Sequence, residues 1–536
     1  MIEHRVIGPP GTGKTTFLSR QCLLATKKVG GSSVAIASLT RAAAREIASR
    51  STGVPPQNIG TLHAHAYRRL ERPALAETTD GVKDWNEKCG VAGWRLSRRS
   101  VSNPELAGAD DQAQTWEDNG DGLLAEVGVW RARMVDDRMW PRRLLSFWKR
   151  WCEWKDESGR IDFTDLIVRG IERVESIDAS IIMLDEAQDM SRLELTLDRK
   201  WGEHADQLVV CGDPDQNLYE WRGSDPSAFY AAEAASTRTL AQSYRVPVAV
   251  HRQAVDWIEQ LRDRVPVEYR PTDEQGVVRR HQGLCLRDGI GTARLVEHLA
   301  SDGSTVMLLG SCGYMLAPVI AALREAAIPF HNPYRVNQGA WNPLAAASRL
   351  LAFLRPHESA WGEEARLWTW EEMKQWTAPL LAKDVMVRGS KTWIEGKARG
   401  GRFDSEDERM VRDLHLVLEQ FEMGHWDAVW GGDIAWWRDH LKHDDRKRQR
   451  YVCDLALRRG ASVLRDRPRV IVGTIHSVKG GEADKVVLAP DLSRAGMEEW
   501  MSTKKDPIVR TFYVGMTRAR KELHLLGPSN LDHVEL

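Results

Sequence analysis

At 536 residues the chain is too long for a single hydrophobic core, so several domains are expected. Its 75 Lys+Arg against 76 Asp+Glu leave a net charge of -1, which excludes a uniformly basic molecule; any nucleic-acid surface is a local groove. Seven dispersed cysteines without a C-x-x-C pair argue for a reducing compartment and against a zinc or iron–sulfur site, and no apolar run approaches the ~20 residues that span a bilayer. Glu3 and the loop that follows it take the place of a signal peptide, so a soluble, cytoplasmic protein with no membrane partner is expected.

The chain opens on a short apolar strand, Val6-Ile7, that runs into Gly8-Pro9-Pro10-Gly11-Thr12-Gly13-Lys14-Thr15 and then a helical stretch from Thr16. This is a complete G-x-x-x-x-G-K-[ST] phosphate loop in the strand-and-helix setting it requires. Glycines let the backbone N–H groups turn inward toward phosphate oxygens, and the positive end of the following helix adds to the anion site. Lys14 reaches the outer phosphates, and the Thr15 hydroxyl can hold Mg²⁺. A chance glycine-rich turn is the alternative, and it does not account for the flanking elements.

Further along, buried-type strands alternate with helical segments, the pattern of a parallel α/β sheet. Candidate strands are 34–39, 181–184 and 207–211, then 305–309, 469–475, 485–489 and 522–526. Two stretches break the rhythm: 75–160 is polar, tryptophan-studded and helical in tendency, and 356–450 is helical and highly charged. Both read as insertions projecting from two α/β cores. Most of the 22 tryptophans are expected to be packing residues.

The strand Ile181-Ile182-Met183-Leu184 ends in Asp185 and Glu186. A central parallel strand delivers its carboxyl end to the ligand crevice. Asp185 is placed to hold Mg²⁺, and Glu186 to orient and deprotonate an attacking water. An acidic cap on the next helix is the competing reading for one such strand. Paired with the phosphate loop, the acids point to a nucleotide hydrolase.

From here the sequence resembles the UvrD/Rep/PcrA family of superfamily 1A DNA helicases, as a compact member without the family's upstream glutamine motif, for which no room precedes Gly8. Gly212-Asp213-Pro214-Asp215-Gln216-Asn217-Leu218-Tyr219-Glu220-Trp221-Arg222-Gly223 resembles the third motif of that family, and Gln242-Ser243-Tyr244-Arg245 its fourth. Thr474-Ile475-His476-Ser477-Val478-Lys479-Gly480-Gly481-Glu482 resembles its T-x-H-x-x-K-G-x-E motif, and Tyr513-Val514-Gly515-Met516-Thr517-Arg518-Ala519 its Y-V-x-x-T-R-A motif. Thr61-Leu62-His63 and the segment around Ser38-Leu39-Thr40-Arg41 resemble its DNA-contacting motifs, and Ile161-Asp162-Phe163-Thr164-Asp165-Leu166 the return from its first insertion.

The resemblance implies two RecA-like parallel-sheet P-loop NTPase cores, each with a mostly helical insertion. The first, ATP-binding core would be 1–74 and 161–240 with its insertion at 75–160. The second would be 241–355 and 451–536 with its insertion at 356–450.

By the same resemblance Arg245 and Arg518 are arginine fingers, a device typically worth ~10³–10⁵ in rate. Gln216 would sense the γ-phosphate and the attacking water, Tyr244 would stack on adenine, and Glu482 would contact the ribose. Gly8, Pro9, Pro10, Gly11, Thr12, Gly13, Lys14, Thr15 and Thr16 complete the ATP site, with Lys14, Asp185, Glu186, Gln216, Arg245 and Arg518 as its catalytic members. Trp221 is the candidate base-stacking platform with Tyr219 beside it, and aromatic stacking gives ~1–3 kcal/mol per base. Thr40, Arg41, Thr61, His63, Thr474 and His476 are candidate contacts to DNA.

Two departures bear on the site. With no glutamine motif, Tyr244 carries more of the base recognition, and motif Ia has Leu39 where the family places a stacking aromatic. The implied function is an ATP- and Mg²⁺-dependent DNA helicase or translocase moving 3′→5′ on single-stranded DNA and acting at single-strand/duplex junctions. Translocation without processive unwinding, and an ATP switch in a repair or defence complex, are the alternatives.

Overall fold

The structure is a computed structural model that describes residues 2–39, 44, 47, 52–90, 93–97, 119–335, 338–357, 366–399 and 410–536. The chain divides into two compact units: Met1–Gly283 with Leu309–Tyr314 and Thr474–Leu536, and Leu284–Leu308 with Met315–Gly473.

The first unit holds a six-stranded sheet in the order β3-β2-β4-β5-β1-β6, parallel throughout. Its strands are β1 (Glu3–Ile7), β2 (Val34–Ser38), β3 (Ile59–Thr61), β4 (Ile181–Asp185), β5 (Gln207–Gly212) and β6 (Ser236–Thr239). A sheet covered on both faces selects near-continuous apolar strands, and β2 and β4 are buried along their whole length. Alternate residues feed opposite faces. Val6, Ile36 and Met183 join the cluster against the helix Lys14–Val29, whereas Ile7, Ala37, Ile182 and Leu184 join the cluster holding Leu166, Leu197 and Trp201. The carboxyl ends of β1, β4 and β5 therefore lie at one edge, where an open parallel sheet binds ligands.

The second six-stranded sheet has the order β7-β12-β11-β8-β10-β9. Its strands are β7 (Val277–His281), β8 (Val306–Gly310), β9 (Phe330–His331), β10 (Val470–Thr474), β11 (Ala483–Leu488) and β12 (Ala519–Leu526). Two parallel α/β sheets of this kind are two RecA-like cores.

Within the first unit, the helices Thr79–Lys88, Gly120–Ala132 and Arg142–Ser158 enclose their own core of Trp85, Trp140, Phe147, Trp151 and Trp154. Trp151 and Trp154 donate their indole N–H groups to Asp162 at 3.0 Å and Asp84 at 2.8 Å, so the large rings are buried with their polar edge satisfied. Asp162 and Asp165 form a capping box at the start of the helix Phe163–Arg173. They also accept from Arg131 and Lys155, which pins the inserted helices to the sheet. The second unit holds the short helices Trp370–Thr377, Ser390–Arg399, Trp426–Trp430 and Ile434–Asp439 and the longer His443–Arg459. Trp368, Trp376 and Trp437 are fully buried there.

Candidate nucleotide and nucleic-acid site

The chain leaves β1 at Gly8, whose N–H bonds the Gly212 carbonyl at 3.1 Å. Gly11 and Gly13 both take left-handed φ values, +74° and +78°. A side chain at Gly11 would also collide with Arg245 Cβ at 2.5 Å, and one at Gly8 with Lys14 Cγ at 2.4 Å. Here glycine is required by both conformation and space.

The loop is braced internally and from one flank. The Pro9 carbonyl accepts from the Thr12 hydroxyl at 2.8 Å, and the Pro10 carbonyl from Ser243 Oγ at 2.9 Å and the Tyr269 hydroxyl at 3.1 Å. Tyr244 N–H reaches the Gly11 carbonyl at 2.8 Å, while its ring is 75 % exposed. A flat ring beside a phosphate loop, tethered by its backbone and open on its face, is suited to stacking on a base. Thr15 and Thr16 occupy the first turn of the helix, and Lys14 folds back to donate to the Gly8 carbonyl at 2.5 Å.

Asp185 ends β4 with 1 % exposure, and its Oδ1 accepts the Glu186 N–H at 3.0 Å. Glu186 is held at φ 54°, a left-handed conformation that a glutamate adopts only under constraint from its surroundings. Burial works against its charge, but Lys14, Lys479 and Arg518 together with a hydrogen bond from Gln188 outweigh it and hold the carboxyl below its ordinary value. Glu186 is thus an ionised carboxylate able to accept a proton. A carboxylate and a hydroxyl, as at Asp185 and Thr15, are hard oxygen donors of the kind Mg²⁺ prefers.

Gln216 lies in the turn after β5, and its side chain is gripped from two sides. Its amide donates to Asp213 Oδ2 at 2.5 Å, and its Oε1 accepts from Arg518 at 3.1 Å. Arg518 is 2 % exposed and also bonds the Val514 and Gly481 carbonyls at 2.9 and 3.2 Å. Arg245 faces elsewhere: it pairs with Glu482 at 2.7 Å, and Arg520 takes the other Glu482 oxygen at 2.9 Å. The two arginines therefore differ in posture. Arg518 is seated on Gln216, whereas Arg245 is engaged with the expected ribose contact.

Of the expected DNA contacts, Trp221 is half-buried in the short helix Glu220–Arg222, its ring centroid 6.4 Å from that of Tyr219. Tyr219 packs on the first sheet's core, with Lys479 and Arg222 at 5.2 and 5.7 Å from its ring centroid. Its face is thus approached by two cations.

His63 lies near Arg222, edge-on to Phe163 and 3.7 Å from Glu194. Burial and the Arg222 charge push its pKa down against the pull of Glu194, which favours the neutral ring. Thr61 caps the helix Leu62–Arg69 through its hydroxyl, which accepts from the Ala64 N–H at 3.2 Å. Thr474 and His476 are both buried, and the Thr474 hydroxyl accepts the Ser477 N–H at 3.2 Å. Thr40 and Arg41 lie outside the described residues.

Several residues join this site that motif reading did not assign a role. Lys479 bonds Asp189 and donates to the Gln216 carbonyl at 2.9 Å. Gln188 Oε1 receives the Asp213 N–H at 2.9 Å, and a side chain at Gly212 would strike that oxygen at 2.5 Å. Arg264 bonds Asp215 at 2.7 Å. Lys479 stands within the stretch from Thr474 to Glu482, and Gln188-Asp189 follow the two acids after Ala187. Those positions were the available signal.

The description of the UvrD/REP helicase N-terminal domain matches residues 3–236, and that of the UvrD-like helicase C-terminal domain residues 469–526. The chain is 25% identical over 297 residues to the ATP-dependent DNA helicase PcrA of Bacillus subtilis, covering 50% of this chain and 39% of that protein. It is 24% identical over 304 residues to DNA helicase II of Haemophilus influenzae, covering 51% and 41%. It is 23% identical over 254 residues to the ATP-dependent DNA helicase srs2 of Schizosaccharomyces pombe, covering 41% and 28%. The matched stretches span well under half the length of these relatives. With two RecA-like sheets, a complete phosphate loop and both domain matches in order along the sequence, the chain belongs to the UvrD-like helicase family.

Proposed function

We propose that the chain is an ATP-dependent DNA helicase or translocase that moves 3′→5′ along single-stranded DNA in the cytoplasm and engages single-strand/duplex junctions. The observation that carries this reading is the convergence on Gln216, whose Oε1 accepts from Arg518 at 3.1 Å and whose carbonyl accepts from Lys479 at 2.9 Å, together with the Glu186 carboxylate, whose charge Lys14, Lys479 and Arg518 favour. Residues more than 450 positions apart in sequence serve one carboxylate. The printed names of the relatives, ATP-dependent DNA helicase and DNA helicase, support DNA as the substrate.

In the proposed reaction ATP lies along the loop from Gly8 to Thr16 with its base on Tyr244. Water attacks the γ-phosphorus, its proton passes to Glu186, and the bond to the ADP oxygen breaks. Mg²⁺ held by Thr15 and Asp185 would neutralise charge on the phosphates. Gln216, held between Asp213 and Arg518, would sense the γ-phosphate, so loss of that phosphate would change what Arg518 meets. Preorganised cations of this kind stabilise the charge that develops on the transferring phosphoryl group. Trp221 sits five residues on, where a stacked base perturbs the same segment.

The test uses duplexes bearing a 3′ or a 5′ single-stranded tail. ATP-dependent strand separation, or displacement of a bound protein from the tail, is expected on 3′-tailed DNA. Preference for 5′ tails overturns the polarity.

A further inference from the structure

Glu220 stands between Tyr219 and Trp221, and its side chain is claimed by a single arginine. Arg510 donates to Glu220 Oε1 at 2.5 Å, the two side chains being 11% and 25% exposed. The Glu220 carbonyl accepts from Arg133 at 3.0 Å, which fixes the backbone on the other side. Arg510 belongs to the helix Asp506–Met516, and Arg518 follows that helix directly. One element therefore grips both ends of a short segment: Arg518 holds Gln216 at 3.1 Å, and Arg510 holds Glu220. The two arginines stand eight residues apart, roughly 12 Å along a helical axis.

The helix is rigidly seated. Ile508, Val509, Phe512, Tyr513 and Met516 are buried. Trp257 donates to the Val509 carbonyl at 2.8 Å, lies edge-on to Phe512 and stacks on Trp500 with 4° between the ring planes. A strut packed this way moves as a body, because close-packed interiors do not deform continuously.

We propose that Arg510 is a positioning residue that ties the Trp221 platform to the ATP site, so that occupancy of the platform by a base is transmitted through Glu220 and the helix to Arg518 at Gln216. This inference rests on the DNA-motor reading above. A half-buried ion pair is the appropriate joint: breaking it strands a charge, so the partners travel together. Lys479 makes a second link, from Gln216 and Asp189 to the Tyr219 ring, but it touches the chemistry directly. Among the described residues Arg510 hydrogen-bonds neither Gln216 nor the phosphate loop, which separates coupling from catalysis.

The test compares the full chain with Arg510→Ala, Arg510→Lys and the charge exchange Arg510→Glu with Glu220→Arg. ATP hydrolysis is measured with and without a dT homopolymer, and dT affinity with and without a non-hydrolysable ATP analogue. Arg510→Ala is expected to reduce the ratio of dT-stimulated to basal hydrolysis about fivefold or more, the lower end of coupling between two sites. The analogue's effect on dT affinity should shrink as well, and linkage requires dT's effect on analogue affinity to shrink by that same factor. Arg510→Lys and the charge exchange are expected to recover much of both. A wild-type ratio in Arg510→Ala overturns the inference, as does an equal loss of basal and stimulated rates that neither rescue variant repairs. If dT fails to stimulate the unmodified chain, the motor reading and this inference fall together; a stimulated wild type with an unaffected Arg510→Ala removes the inference alone.

Discussion

The Arg518 guanidinium rests on Oε1 of Gln216 at 3.1 Å, the two standing 302 positions apart in sequence and both side chains buried. The contact joins the turn after β5 to the turn before β12. Its partner on the other face of Gln216 is Asp213, so the amide is oriented from both sides. Preorganisation is where electrostatic catalysis gains most, since the donors need not reorganise during the reaction.

Replacing Arg518 with alanine should therefore cost ~10³-fold or more in kcat, the range of a lost arginine finger. ATP affinity should change far less, because Lys14 and the loop amides remain. Steady-state hydrolysis alongside equilibrium binding of a fluorescent ATP analogue separates the two effects. A variant within tenfold of wild type would show that Arg518 holds the fold and not the transition state.

Glu186→Gln should abolish turnover, by ~10²–10⁴-fold, while ATP still binds. The charge is what matters: Lys14, Lys479 and Arg518 keep the carboxyl ionised against its burial. Single-turnover hydrolysis checks it, and wild-type turnover in this variant contradicts the assignment.

Trp221→Ala should weaken single-stranded DNA binding by ~1–3 kcal/mol, as expected for loss of one base-stacking ring. DNA-stimulated hydrolysis should fall more than basal hydrolysis. Fluorescence anisotropy of a labelled oligonucleotide gives the affinity, and equal losses of basal and stimulated rates would assign Trp221 to folding.

Asp198 offers a test of stability unconnected with catalysis. It is fully buried in the helix Arg192–Gly202, and among the described residues neither carboxylate oxygen has a hydrogen-bond partner. Burial, reinforced by the Glu3 carboxylate and opposed by Arg199, raises its pKa from 3.8 to about 7. The folded chain therefore holds this proton up to near pH 7, whereas the unfolded chain releases it near pH 4. Stability from this group is full at low pH and declines as pH rises between those values. Asp198→Asn removes that decline and should stabilise the protein at pH 8 by on the order of 2–4 kcal/mol. Urea unfolding at pH 5 and pH 8 checks it: a gain clearly larger at pH 8 than at pH 5 is expected, and an equal effect at both would deny the linkage.

Much of the sheet architecture was legible because buried parallel strands carry dense apolar runs. The segments at 34–39, 181–184 and 207–211 lie within a residue of β2, β4 and β5. β6 carried no such signal: Ser236–Thr239 reads Ser-Thr-Arg-Thr, is exposed along its length, and is a strand only because β1 pairs with it. β12 begins at Ala519, earlier than its apolar run at 522, since Arg520 and Lys521 face solvent.

The site was legible as motifs but not as contacts. Fixed spacing identified the phosphate loop and the acids after β4. Nothing local pairs Arg245 with Glu482 across 237 residues or Lys479 with Asp189 across 290, because those partners are set by how the sheets fold together. The burial of Thr474 and His476 was likewise invisible, their polar character being satisfied inside the fold.

The most direct test of the motor reading is ATP hydrolysis by the full chain in the presence and absence of single-stranded DNA. The account predicts strong stimulation that weakens as salt is added, since phosphate contacts release counterions. Hydrolysis that proceeds at one rate with or without DNA would contradict it.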